Sequence, residues 1–224
     1  MKIEVKLMKF LLFFLCLLPL SAESLRYSIN WASGLSLGEA TLRADKGKEA
    51  WDFEVTMDAS VPGFTLRDRY QSAATLDLCS LQLEKTFTHG NRKADEKMVF
   101  DQQNHSASRE TKNGGGKSDV SISSCAKDAL TFMQFARREL AQGRLAPQQT
   151  VVFGAIYNVR IEYTGQQKIK VGDQAADADR ILATIKGPTT DLTVEIFFAR
   201  DAARTPLLAR IPLSLGTFTV ELIR

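Results

Sequence analysis

Apolar and polar residues alternate one by one through much of this chain, and that period of two constrains its fold more than any other feature. From Trp51 to Val61 every odd position is apolar and every even one polar. Successive side chains of a strand point to opposite faces, so such a segment buries one face and wets the other. Leu25, Tyr27, Ile29 and Trp31 line one face of an earlier strand, against Arg26, Ser28 and Asn30. The odd positions from Val151 to Tyr163 read as one longer strand. Leu192 to Phe198, Leu207 to Leu213 and Phe218 to Leu222 repeat the pattern. One-sided burial in so many strands means an antiparallel sheet, because parallel strands covered on both faces read as continuous apolar runs.

Turn chemistry punctuates these strands at Ser33-Gly34, Lys46-Gly47-Lys48, Pro62-Gly63, His89-Gly90-Asn91, Thr164-Gly165, Gly187-Pro188 and Leu215-Gly216. Asn113 to Gly116 is a glycine-rich hairpin tip; no Lys-Ser/Thr pair in helical register follows it, so it is not a phosphate loop. One segment breaks the alternation. Residues 125–141 read as an amphipathic helix with Ala129, Phe132, Met133, Ala136 and Leu140 on its apolar stripe. Ser123 or Ser124 is placed to cap it, and Gly143 with Pro147 to end it. The expected fold is mainly β: a single domain over 23–224, built as a strongly curved antiparallel sheet or open β-barrel with one amphipathic helix packed against it.

The first residues give an address. Lys2, Lys6 and Lys9 precede the uncharged run Phe10 to Leu18, and Pro19-Leu20-Ser21-Ala22 supplies a break and small residues before Glu23. This is the layout of a secretory signal peptide over 1–22, and the run falls short of the roughly 20 apolar residues of a membrane span. Cleavage there leaves a periplasmic or secreted domain with no transmembrane span. Losing the leader's three lysines and one glutamate takes the formal charge from +3 to +1. A near-neutral chain has no broad electrostatic claim on nucleic acid. Of the three cysteines, Cys16 lies in the leader, which leaves Cys79 and Cys125 as an even pair in an oxidising compartment. A disulfide is the expected outcome.

Catalytic inventory is thin. The two histidines, His89 and His105, fall in polar turns or exposed strand, and no HExxH, CxxC, GxSxG or P-loop pattern occurs. Asp52, Glu54 and Asp58 share the polar face of one strand, where paired acids would suit glycoside hydrolysis; the ordinary role is a solvated face. Asp173, Asp177 and Asp179 lack the glycine and closing glutamate of a calcium loop. Arg67-Asp-Arg-Tyr70 and Asp201-Ala-Ala-Arg204 read as local ion pairs. No catalytic, metal or cofactor residue is assigned. The apolar face carries Tyr27, Trp31, Trp51, Phe53, Tyr157 and Tyr163, aromatics that fill a core or, in a curved sheet, line a cavity for an apolar ligand.

Three stretches carry a family resemblance: Leu25 to Leu42, Asp128 to Gly143, and Phe198-Ala-Arg-Asp-Ala-Ala-Arg-Thr-Pro-Leu207. In that order they resemble an exported bacterial family known as domain of unknown function DUF3108. The resemblance implies a β-rich exported domain and supplies no activity, substrate or catalytic residue. The expected function is therefore non-enzymatic: binding a lipid or other apolar or amphiphilic small molecule, or an envelope protein partner. The alternatives are a carboxylate-dependent envelope glycan hydrolase and a structural subunit that pairs through its sheet edges.

Overall fold

The computed structural model describes residues 22–224 apart from 62, 113–114, 146–147 and 214–215. Residues 1–21 of the expected 1–22 leader, and Asn113 and Gly114 of the glycine tip, therefore lie outside the described residues. Strands β1 (Ala22–Trp31), β2 (Ser36–Lys46), β3 (Ala50–Val61), β4 (Phe64–Thr75), β5 (Ser80–His89), β6 (Arg92–Asp101), β7 (Ser106–Thr111) and β8 (Lys117–Ser121) run up and down in sequence. Helix α1 (Ala129–Ala141) follows. Then come β9 (Gln148–Val152), β10 (Ile156–Val171), β11 (Gln174–Gly187), β12 (Thr190–Ala199), β13 (Pro206–Leu213) and β14 (Gly216–Leu222). All fourteen strands form one sheet in the order β8-β7-β6-β5-β4-β3-β2-β1-β14-β13-β12-β11-β10-β9. Every neighbouring pair is antiparallel, and β1 with β14 joins the two halves. The curved antiparallel sheet with one helix is the architecture the alternation demanded.

The sheet is unclosed, with β8 and β9 at its edges, and the chain leading into the helix ties the start of β5 to the edge strand β9. Ser80 N donates to Ala126 O at 3.0 Å on one side, and Val152 N to Lys127 O at 2.9 Å on the other. Both halves of the sheet thus reach the helix. Leu130 and Phe135 pack with Phe53, Leu83, Met98 and Val152 of the first core. Phe132, Met133, Ala136 and Leu140 pack with Val159, Ile161, Ile181 and Phe198 of the second. Each large side chain so buried contributes about 1.5–3 kcal/mol. A further cluster of Ile29, Leu37 and Ala59, with Trp31 and Phe218 against it, fills the same face at the β1–β2 and β3–β4 tips.

The long β10–β11 hairpin serves both faces of the sheet. An extra residue between Tyr163 and Gly165 shifts its register, and beyond this bulge the apolar set changes sides. Ile169, Val171 and Ala178 there pack on Phe197 and Leu208, which face away from the helix. Phe197 is fully buried in that cluster.

Two boundaries differ from expectation. The helix begins at Ala129, not Cys125, because Asp128 is its N-cap: Asp128 Oδ1 accepts from Leu130 N and Thr131 N at 2.8 and 3.1 Å. The Val151 to Tyr163 run is two strands, β9 and β10, turned at Gly154, whose φ of +80° suits glycine. Alternation continues in phase through the three-residue turn, so periodicity alone does not reveal it.

Candidate functional site

Cross-strand register builds an open feature of the surface. Arg43, Glu54, Gln71 and Glu84 are successive partners across β2 to β5, with Asp45 opposite Asp52 in the next row. Their one-residue neighbours Ala44, Phe53 and Leu83 belong to the core beneath the helix, so these polar rows face the other way. They line an open trough of about 710 Å3 that crosses β1 to β5. Glu54 lies between two guanidinium groups, Arg69 at 2.6 Å and Arg43 at 3.7 Å. Asp52 and Glu54 of the candidate acids thus share this trough, whereas exposed Asp58 pairs with Arg67 at 3.2 Å. An open trough whose lining mixes these charged and amide side chains with Ala22, Phe53 and Ala73 suits an extended chain bound through hydrogen bonds, charges and some apolar contact.

On the helix-facing side, β4 to β7 hold a polar cluster within the apolar wall. Asp68, its side chain 3% exposed, meets His89 Nε2 at 2.7 Å and accepts the Tyr70 hydroxyl at 2.5 Å. Sequence reading left His89 without a partner; Asp68 sits 21 residues away, brought near by the β4–β5 register. Burial, and then the Asp68 carboxylate, pushes the Tyr70 phenol well above its ordinary range. Glu96 lies between Arg109 at 2.5 Å and Lys85 at 2.9 Å. Burial alone would raise its carboxyl, but the two cations hold it below the usual carboxylate range. Phe153 of the β9–β10 turn covers this cluster, with Lys85 Nζ 4.6 Å from its ring and Tyr70 edge-on to it. This is a fastening between the two ends of the sheet.

The helix is tied down by two further charged groups. Asp128 is fully buried and accepts from Ser72, Ser80 and Thr131 hydroxyls at 2.6, 2.5 and 2.8 Å besides its two backbone donors. Arg137 donates to both oxygens of the Glu23 carboxylate and to the carbonyls of Ala203 and Arg204. Cys79 and Cys125 form the disulfide, joining the β4–β5 turn to the lead-in of the helix. Lys127 donates to Cys125 O and lies 4.5 Å from the Phe135 ring; its burial lowers the ammonium's pKa.

The aromatic candidates fall in different places. Tyr27 is buried and donates to Pro206 O at 3.1 Å. Trp51 stacks on Phe53 in the first core. Trp31 leans on Phe218 near the strand tips. Tyr157 packs against the second core, and Tyr163 reaches Asp179 at 3.3 Å from a part-exposed position. Between helix and β10 to β12 lies an apolar crevice of about 30 Å3, lined by Phe132, Met133, Leu140, Ile161, Ile181 and Phe198. Of the six aromatics, none lines it. Asp179 is buried against Arg204, while Asp173 pairs with Lys170 in solvent, so the acidic stretch does not converge. Asp201 caps its own turn through Thr205. Among the described residues no three His, Cys, Asp or Glu side chains gather as a metal site would need. No described helix is long and apolar enough to cross a membrane.

A single up-and-down sheet wrapped about one helix defines the class, a β-barrel-like protein. The chain is similar in fold to a β-barrel-like protein of domain of unknown function DUF1849 from Brucella abortus, at a TM-score of 0.68 and 6% identity. That match covers 92% of this chain and 97% of the other. By sequence the chain belongs to the DUF3108 family of proteins of unknown function, whose model matches residues 26–223. No curated protein matches the chain in sequence.

Proposed function

We propose that this is a non-enzymatic protein of the cell envelope that holds an extended segment of an envelope protein along the β1–β5 trough. One observation carries the reading: an open trough of about 710 Å3 whose lining is about half polar, with Arg43, Glu54, Gln71 and Glu84 on it, against about 30 Å3 of apolar space beside the helix. Small-molecule sites usually run to roughly 300–1,000 Å3 and are mostly apolar. The crevice has the right chemistry for a lipid tail and too little room for one, so the partner reading is the stronger. The test is a photo-crosslinking residue placed at Gln71 in the trough and, as control, at Thr193 on an exposed strand face. A discrete adduct at Gln71 that Arg43→Glu removes supports the proposal. Equal labelling at both sites counts against it. An apolar molecule of defined mass released from the purified protein by organic solvent would move the function to the crevice.

The glycan-hydrolase alternative rests on Asp52 and Glu54 facing the same trough. It requires turnover of envelope glycan that falls by several orders of magnitude in Asp52→Asn or Glu54→Gln; unchanged turnover in both removes it.

A further inference from the structure

In an up-and-down sheet, alternate hairpin tips stand at the same end. Here the tips of β13–β14, β1–β2, β3–β4, β5–β6 and β7–β8 follow one another along one rim. The first three each display a large apolar side chain to solvent: Leu213, Leu35 and Phe64, at 50, 58 and 42% exposure. The next two display cations, with Arg92, Lys93 and Lys112 exposed and without an ion-pair partner among the described residues. Of the carboxylates just behind these tips, Asp58 is occupied by Arg67 and Glu110 by Lys117, while Asp95, two residues behind Lys93, has no ion-pair partner among the described residues. The opposite rim is mixed, with Asp77, Asp101, Asp173 and Asp201 at its turns beside the exposed cations Lys46, Lys48 and Arg200, and the exposed apolar side chain of Leu76.

We propose that the rim of Leu213, Leu35, Phe64, Arg92, Lys93 and Lys112 docks onto the surface of an anionic lipid bilayer. Apolar side chains at such tips enter the boundary between headgroups and acyl chains, while neighbouring cations meet lipid phosphates. The tips are held in place for this. Trp31 and Phe218 pack at 4.9 Å behind the first two, and Gly90 N donates to Thr65 O at 2.8 Å between the β5–β6 and β3–β4 tips. The side chains are therefore presented by a packed scaffold. Other exposed apolar residues, such as Val99 and Tyr163, stand singly on strand faces, which is ordinary for a protein surface. The proposal is independent of the trough, which lies on the strand face.

Vesicle flotation tests it, using the protein as recovered after expression with its own leader, so that any retained leader is common to all variants. Vesicles of phosphatidylcholine with phosphatidylglycerol are compared with phosphatidylcholine alone. The expected result is flotation with the anionic vesicles, lowered about tenfold or more in Leu35→Ser/Phe64→Ser and unchanged in Val99→Ser. Arg92→Ser/Lys93→Ser removes the preference for anionic lipid. Circular dichroism checks that the variants remain folded, as expected because all these side chains are exposed. A wild-type protein that stays with neither vesicle, or a Leu35/Phe64 variant that floats as the wild type does, overturns the proposal.

Discussion

The carboxylate of Glu23 and the guanidinium of Arg137 meet in two hydrogen bonds, of 2.6 and 2.8 Å, across 114 residues of chain. Arg137 is 3% exposed, so the first strand and the helix are joined through a charge that has left water. Removing one partner of such a pair leaves the other uncompensated. Glu23→Gln is expected to lower stability by about 2–4 kcal/mol, because the carbonyls of Ala203 and Arg204 still serve Arg137. Adding Arg137→Met to it should recover part of that loss. Urea denaturation of the single and double variants measures both.

Asp128 organises the other end of the helix, taking five hydrogen bonds while fully buried. Asp128→Ala removes the cap and strands three hydroxyls, at an expected cost of about 3–5 kcal/mol. Asp128→Asn, which keeps one acceptor oxygen, should cost less. A thermal melt that ranks the two in the opposite order would contradict this account.

The Cys79–Cys125 disulfide closes a span of 46 residues. In the chain-entropy model it contributes about 4 kcal/mol by restricting the unfolded chain. Cys79→Ser/Cys125→Ser should lose a stability of that order with the strand content kept. Circular dichroism with denaturant titration reads both.

Stability should fall in acid through Glu96 and Glu195, whose carboxyls Arg109 with Lys85, and Arg210 with Arg180, hold low against their burial. A carboxyl depressed in the folded state adds stability above its unfolded pKa, near 4.3, and loses it as pH falls through the folded value. The wild type is thus expected to lose stability from about pH 5 downward. Glu96→Gln should be less stable at neutral pH and show a shallower decline in acid. Parallel curves for the two proteins would show that Glu96 carries none of the dependence.

Gly38 admits no side chain. A Cβ there would lie 2.0 Å from the Asp58 carbonyl oxygen, on a backbone with φ of +156°. Gly38→Ala must push β2 away from β3, and a loss of about 2–4 kcal/mol is expected, read by denaturant titration.

Much of this was legible in the residues. The strands around Trp51, Leu192 and Phe218 stand where alternation puts them, because pleating turns a period of two directly into one buried face. The stripe of Ala129, Phe132, Met133, Ala136 and Leu140 meets the second core for the same reason at helical period. The helix's other buried side, Leu130, Thr131 and Arg137, was not legible. An amphipathic pattern reports one apolar face, and only a sheet that closes on the helix from both sides buries polar residues behind it.

By itself the sequence determined the sheet, its antiparallel sense and the helix, since each follows from local periodicity. The tertiary structure alone decided who meets whom: Glu23 with Arg137, Asp68 with His89, Asp52 and Glu54 in one trough, and three apolar tips on one rim. Those meetings depend on register, bulges and the path by which the sheet curls. These are set by contacts far apart in the chain, for which a charged residue in a turn or on a strand face carries no local sign.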